Sequence, residues 1–399
     1  MDFENTNILF GVTGGIAAYK AVELLRLFKK AGANVNVVMT PSAEKFVGRT
    51  TFEVLSENKV LLDLFSESEP SVTHIDLATN AHAVIIAPAT ANIIAKLSSG
   101  IADDALTTTM LAVTSPVMIC PSMNTYMYEN IRVQRNLDIL EGDGFNILDP
   151  DSGVLACKTA GAGRLPDPWY IFDRFEAMLV KKDLKGKKIL ISAGPTVEAM
   201  DPVRFVSNHS SGKMGYAIAG AAEKRGGQVT MVSGPVSLDP PVGVECIDVV
   251  SCEEMAQQML SHLHGSDIII KVAAVADYKP VDPADNKIKK KDNSKNISIS
   301  LTENPDIIKL IGKKKTKEQF LVGFAAETND LEQNALLKIK KKNLDMIAAN
   351  LVGSSDSGFK ADTNKVTLFF KDGSCADIPL MDKSKVANIL LDHVIEKIG

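Results

Sequence analysis

The chain begins the same construction twice. Asn7–Gly15, NILFGVTGG, is an apolar run of strand length that ends in glycines. Asp183–Thr196, DLKGKKILISAGPT, repeats it near the midpoint, with a polar lead-in at Asp183–Lys188 and a turn at Gly194–Pro195. A strand that ends in a glycine turn and feeds a helix opens a βαβ unit, which requires a parallel sheet covered by helices. Two such openings predict two α/β domains, residues 1–182 and 189–399, joined by a linker over 183–188. We expect Rossmann-like or flavodoxin-like three-layer domains with mainly parallel sheets, the second carrying a β-hairpin. At 399 residues the chain exceeds what one hydrophobic core usually supports, which agrees with two domains.

The composition narrows the function classes. It is globular, 45% hydrophobic and 23% charged, and no apolar run approaches the twenty residues a membrane span needs. The acidic start MDFENTNILF has no basic n-region, so no secretory signal is expected. The five cysteines are odd in number and never form a CxxC pair, which points to reduced thiols and a cytoplasmic setting. A net charge of −5 argues against a nucleic-acid partner. An RNA-binding face would interleave aromatics with its lysines, and the lysine clusters contain none.

In the first half, Ile8–Val12 reads as a strand, Gly11–Gly15 as a tight turn, Ile16–Lys30 as a helix and Val35–Met39 as a second strand. The glycines do not fit GxGxxG, and Thr40-Pro41-Ser42 ends the second strand where a ribose-binding acid is expected. Hydroxyls there suit a flavin or mononucleotide phosphate aimed at a helix start; a purely structural turn fits the same loop. Val84–Ala87 and Val117–Cys120 are further strands, followed by Pro88–Asn92 (PATAN) and Pro121–Met127 (PSMNTYM). Three successive strand ends thus carry small, hydroxyl or amide groups. Gly14, Gly15, Thr40, Ala89, Thr90, Asn92 and Met123 are the candidates for contact with a flat ring and its tail. His74 is of the residue type that most often serves as a general base, although a lone histidine is more often a packed or surface residue. Cys157 lies in Asp151–Pro166, a glycine-rich stretch read as a mobile loop or lid.

In the second half, strands are expected at Lys188–Ala193, Gln228–Ser233, Val244–Val249 and Ile268–Lys271. Ala199–Gly212 is expected as a long polar loop. Ser211-Gly212-Lys213-Met214 is not a P-loop, because Ser207 stands where the first glycine belongs and Met214 has no hydroxyl for Mg²⁺. Asp277 falls just past a strand end, where a carboxylate can hold a ribose or a metal. Lysines cluster at 287–291, 313–317 and 338–342, and such runs are usually solvated faces, although a triphosphate also needs cations. Pro305 is expected at the first position of a helix. Lys365–Phe370 and Ala376–Pro379 read as a hairpin around Asp372-Gly373.

The motifs GVTGGIAAYK, His74, PATAN, PSMNTYM and LACKTAGAGRL resemble the flavin-containing cysteine decarboxylases. With the second half included, nearly the whole chain resembles the bifunctional coenzyme A biosynthesis proteins, which join phosphopantothenoylcysteine decarboxylase to phosphopantothenate–cysteine ligase. The resemblance implies FMN in the first half, with His74 as base, Asn124 on the substrate carboxylate and Cys157 as proton donor. Lys158 stands where that family usually has glycine. It also implies CTP and Mg²⁺ in the second half. CTP would lie against Lys271, Val272, Ala273, Asp277, Lys287, Pro305, Asp306, Ile307, Ile308, Phe324, Lys338 and Lys342. Asn208, with Arg204 nearby, would handle an acyl-cytidylate, and Lys287 would meet charge on the α-phosphate. Phosphopantothenate and cysteine are the implied substrates, and a homo-oligomer with shared flavin sites is the implied assembly. A non-catalytic flavin-binding regulatory subunit is the rival from another class; it predicts loss of the histidine, the lid cysteine or the second half, and all three are present.

Overall fold

A computed structural model describes residues 3–65, 73–154, 160–289, 297–327, 331–351 and 361–399. The chain divides into two compact units, Met1–Val180 and Lys181–Gly399.

In the first unit β1 (Asn7–Val12), β2 (Asn34–Met39), β3 (Ala83–Ala89), β4 (Val117–Pro121) and β5 (Asn146–Ile147) form one parallel sheet. Their order is β2-β1-β3-β4-β5. Ile8 sits opposite Val35 on one side and Ala83 on the other. Strands buried on both faces read as continuous apolar runs, and Val84, Ile85 and Ile86 are all fully buried. On one face, Ala18–Lys30 and Pro168–Leu179 bury an aromatic group in which the Phe28 and Phe175 rings stand 5.0 Å apart at 70°. Phe3 joins it edge-on to Phe28 at 6.1 Å. Edge-to-face contacts of this kind add about 0.5–1.5 kcal/mol per pair to the burial itself.

The glycine-rich stretch expected as a loop is in part a hairpin. β6 (Asp151–Val154) and β7 (Ala160–Arg164) pair antiparallel. The glycines hid this pairing because they carry no strand propensity. The residues between the strands, Cys157 and Lys158 among them, lie outside the described residues.

In the second unit the strands are β8 (Lys188–Ala193), β9 (Glu198–Ala199), β10 (Phe205–Val206), β11 (Gln228–Ser233), β12 (Glu245–Asp248) and β13 (Ile268–Lys271). They continue with β14 (Tyr278–Pro280), β15 (Leu301–Glu303), β16 (Phe320–Glu327), β17 (Met346–Leu351), β18 (Thr363–Phe370) and β19 (Cys375–Asp382). The large sheet has the order β12-β11-β8-β13-β16-β17-β18-β19. The first six run parallel and β18–β19 add an antiparallel edge. Taken in chain order, the parallel strands sit third, second, first, fourth, fifth, sixth, which is the Rossmann arrangement. Helices Lys213–Lys224 and Lys383–Ile398 cover one face, and Cys252–His262, Ile307–Lys314 and Leu331–Lys342 cover the other.

Three local expectations change. The Ala199–Gly212 loop contains part of the β9–β10 hairpin, in which Ala199 pairs with Phe205. Strand β17, MIAANL, was not foreseen, since alanine and asparagine are weak strand formers. Pro305 precedes its helix: Asp306 is the N-cap, accepting the Lys309 N–H at 3.1 Å, and the helix opens at Ile307.

The stretch expected as a linker is fastened to the second unit. Leu184 is fully buried in that unit's core. Asp183 takes two guanidinium hydrogen bonds from Arg225, both at 2.8 Å, and Arg225 also meets Asp392 at 2.7 Å. The Arg225 cation holds the Asp183 carboxyl below the usual range. Leu184→Ala is therefore expected to lower the unfolding free energy of the second unit by about 3 kcal/mol in a urea titration. An unattached linker predicts a change below about 0.5 kcal/mol.

Candidate functional site

Each of the two large sheets has one point where the chain reverses the order in which strands are added. Loops leaving the two strands there diverge to opposite faces and leave a crevice at the carboxyl ends. In the first unit this point lies between β1 and β3. Thr13, almost fully buried, stitches its two sides: its Oγ1 donates to Pro88 O at 2.7 Å and accepts the Thr90 N–H at 3.1 Å. Thr90 then caps the helix Ala91–Ser98.

A cavity of about 570 Å³ opens at this point. Gly14, Gly15, Thr90, Met123 and Asn124, all foreseen from sequence, line it together. A side chain at Gly14 would run into Ser42, so this turn admits only glycine at that position. Thr40 is buried beside it, with its hydroxyl 3.1 Å from that of Ser42, and supports the turn from behind. Ala89 is buried and accepts the Ser122 N–H at 2.9 Å, which joins two strand ends. Asn92 is exposed on the helix and His74 is half-buried on Thr73–Thr79; neither is among the lining residues.

Sequence reasoning missed Ile16, Tyr19, Lys20, Met127, Gly163 and Arg164 in the lining. The available signal was charge, because Lys20 and Arg164 are the lining residues that carry a cation. Lys20 Nζ donates to Leu165 O at 2.6 Å and to Pro166 O at 3.2 Å, tying the first helix to the end of the β6–β7 hairpin. Burial and the nearby Arg164 cation lower its pKa. The hairpin lies close on PSMNTYM, since the Met123 N–H donates to Gly163 O at 3.0 Å. Asn124 caps the next turn with its Oδ1 on the Tyr126 N–H at 2.9 Å.

In the second unit the reversal lies between β8 and β13, and buried hydroxyls again stitch it. Ser192 Oγ accepts the Ala273 N–H at 3.3 Å, and Thr196 Oγ1 accepts the Ala276 N–H at 3.1 Å. Asn208 Nδ2 donates to Ala274 O at 2.5 Å and Asn208 Oδ1 accepts the Ser210 N–H at 2.9 Å. A cavity of about 420 Å³ runs from Gly194 and Asn208 past Lys271, Val272, Ala273 and Asp277. A second, of about 370 Å³, holds Pro305, Asp306, Ile307, Ile308 and Lys342. Lys271, Asp277, Phe324 and Lys338 line both, so the two form one groove.

Asn304 shapes the wall between them. Its N–H donates to Asp277 O at 2.8 Å and its Nδ2 to Ala276 O at 2.9 Å. Its Oδ1 is buried without a partner. Asp306 meets Lys342 at 2.9 Å. Burial, with the Lys342 cation second, pushes the Lys271 ammonium down to about 8. Lys271 also donates to Ala273 O at 2.6 Å.

Lys287 and Arg204, expected in this site, line neither cavity. Lys287 is exposed, and Arg204 is engaged with Asp201 and with Ile288 O at 3.0 Å. Unforeseen wall residues include Asn350, Asn364 and Lys383, which come from β17, β18 and the last helix. Their positions follow from sheet order, which no local pattern encodes.

A Flavoprotein family profile matches residues 2–179, and a profile for the DNA/pantothenate metabolism flavoprotein C-terminal domain matches residues 184–398. The coenzyme A biosynthesis bifunctional protein CoaBC of Bacillus subtilis is 50% identical over 395 residues, covering 98% of this chain and 97% of that protein. That of Haemophilus influenzae is 45% identical over 399 residues, covering 100% and 99%. The crystal structure of a CoaBC C-terminal domain is 41% identical and covers 55% of this chain and 98% of that one, with a TM-score of 0.47.

Two outcomes follow from this geometry. Gly163 has φ +135°, and a Cβ there would overlap the Met123 carbonyl oxygen. Gly163→Ala is expected to cost about 2 kcal/mol in thermal unfolding of the first unit and to reduce flavin content, read as visible absorbance per chain. In the second unit the charged form of Lys271 is lost as pH rises through about 8. Affinity for a nucleoside triphosphate, read by calorimetry, is expected to fall about tenfold between about pH 7 and pH 9, and Lys271→Met is expected to remove that limb.

Proposed function

We infer the chemistry of both units from one premise: the chain belongs to the family of coenzyme A biosynthesis bifunctional proteins. It is an enzyme of coenzyme A biosynthesis with phosphopantothenoylcysteine decarboxylase and phosphopantothenate–cysteine ligase activities. The observation that carries the finer reading is the pair of crevices, each of which gathers candidate residues scattered along the chain.

The first crevice suits FMN. Its walls join apolar side chains such as Ile16, Ala17 and Met127 to two cations, Lys20 and Arg164, as a flat ring with an anionic tail requires. When bound, FMN supplies the two-electron oxidation of the cysteine –CH₂–SH end to a thioaldehyde, which accepts the electrons released with CO₂, and afterwards the return of a hydride. The chain does the rest. Asn124 holds the substrate carboxylate through its NH₂, His74 serves as the base, and Cys157 donates the closing proton.

His74 lies outside the lining of the cavity that Asn124 helps to form, while Ile16, Tyr19 and Met127 are 64%, 57% and 48% exposed at that cavity. Large apolar side chains open to solvent at a cavity suit a second copy of the chain laid over it, completing a shared site in a homo-oligomer. The cysteines among the described residues are free thiols, which agrees with a reducing cytoplasm.

The second crevice carries the ligation. The phosphopantothenate carboxylate attacks the α-phosphorus of CTP, pyrophosphate leaves, and the amine of cysteine displaces CMP from the acyl-cytidylate. Lys271, Lys338 and Lys342 meet the polyphosphate charge, Asn208 steadies the acyl group, and Lys287 meets the charge that grows on the α-phosphate. Among the described residues there is no group of three or more His, Cys, Asp or Glu placed to hold a metal. A Mg²⁺ held by substrate phosphates, water and the single carboxylate of Asp277 agrees with that donor set.

Purified protein should be yellow, release CO₂ from phosphopantothenoylcysteine, and release pyrophosphate only when CTP, phosphopantothenate and Mg²⁺ are present. His74→Asn should abolish CO₂ release with flavin retained; an unchanged rate would remove His74 from the mechanism. Lys287→Gln should lower the ligation kcat by about 100-fold or more with little change in the KM for CTP.

A further inference from the structure

Lys287 is exposed and carries its charge on a flexible stem. A point charge contributes to a transition state only when its backbone is already in place, and a displacement near 1 Å costs about 100-fold. The question is what holds the segment around Lys287.

The answer lies at the tip of the β9–β10 hairpin. The side chain of Asp201 is fully buried, and its two oxygens are saturated. Oδ1 accepts the Val203 N–H at 2.9 Å and the Arg204 N–H at 2.8 Å. Oδ2 accepts Arg204 Nε at 3.0 Å, Arg204 Nη2, and the Ile288 N–H at 3.1 Å. Arg204 Nη2 also donates to Ile288 O at 3.0 Å, so Ile288 is held through both of its main-chain groups. At the other end of the segment the Ala284 N–H donates to Met200 O at 2.9 Å. Lys287 stands between these two attachments, one residue from the stronger.

We propose that Asp201 is a positioning residue for ligation: its buried carboxylate, with Arg204, latches the main chain of Ala284–Ile288 to the hairpin and so fixes the point from which the Lys287 stem, which lines neither cavity itself, reaches toward a bound nucleotide. The proposal rests on the reading of Lys287 given above. Charged hydrogen bonds of this kind are about twice as strong as neutral ones. Asp201→Asn keeps the shape and puts a donor where Oδ2 or Oδ1 accepted, which opens the latch on one side.

The test uses the full-length enzyme and four variants: Asp201→Asn, Lys287→Gln, the double variant, and Arg204→Lys. CTP-dependent pyrophosphate release gives kcat and KM for CTP, and CO₂ release from added phosphopantothenoylcysteine reports the other unit. Asp201→Asn is expected to lower the ligation kcat about 100-fold with KM for CTP within about threefold and CO₂ release unchanged. The double variant is expected to be no slower than Lys287→Gln alone, since a group that acts through Lys287 has nothing left to act on. If Asp201→Asn does not bind CTP, Arg204→Lys, which cannot span Asp201 and Ile288 O together, carries the same expectation. Losses that multiply in the double variant, or a change confined to KM, would overturn the latch. A full kcat in Lys287→Gln would instead overturn the role of Lys287, so the two failures are told apart.

Discussion

Both units depend on the divergence of two neighbouring loops at the point where strand order reverses. A parallel sheet with helices on both faces must send one connection up and the next down at that point, and the space between them is not filled by the fold itself. The two units keep this space open in the same way. A buried hydroxyl on the first strand or its loop bonds the main chain at or just past the end of the partner strand: Thr13 to Pro88 and Thr90, and Ser192 and Thr196 to Ala273 and Ala276. Each hydroxyl is nearly or fully buried, so losing its partner leaves an unpaired polar group in the interior. The crevices are therefore fastened by hydrogen bonds where they meet the sheet.

The outer walls of the two crevices differ. In the first unit the wall is the PSMNTYM turn with a hairpin laid on it, so close that Gly163 leaves no room for a Cβ beside Met123. Apolar side chains such as Ile16, Ala17 and Met127 predominate in its lining. In the second unit the wall is ionic. Lys271 is held below its ordinary pKa by burial and by Lys342, while Asp306 offsets part of that repulsion through its 2.9 Å pair with Lys342. A site that concentrates cations is destabilised by their mutual repulsion, which an anionic ligand would relieve.

Much of this was legible in the chain. The paired launches at Asn7–Gly15 and Asp183–Thr196 announced two parallel sheets, and the strand ends named Gly14, Gly15, Thr90, Met123 and Asn124, which share one cavity. The Lys271–Ala273, Asp277 and Pro305–Ile308 stretches likewise share one groove. The failures have physical causes. Strand β17 is built from weak strand formers and exists because neighbours on both sides pair with it. The β6–β7 strands are glycine-rich, and their pairing answers to the turn they lie on. Asp183–Lys188 looked like a linker because lysines and glycine dominate it, yet one leucine and one aspartate bind it to the second core.

Local patterning determined the element types, the fold class and the strand ends that face a ligand, because the period of apolar residues and the position of glycine act within a few residues. Contacts across long stretches of sequence were settled by the tertiary structure alone. Asn350 and Asn364 reach the groove of the second unit only because β17 lies beside β16 and β18 beside β17. Arg204 faces Asp201 and Ile288 because a hairpin folds back onto a segment more than eighty residues away. Such contacts depend on which strand lies next to which, and that order is fixed by packing of the whole sheet.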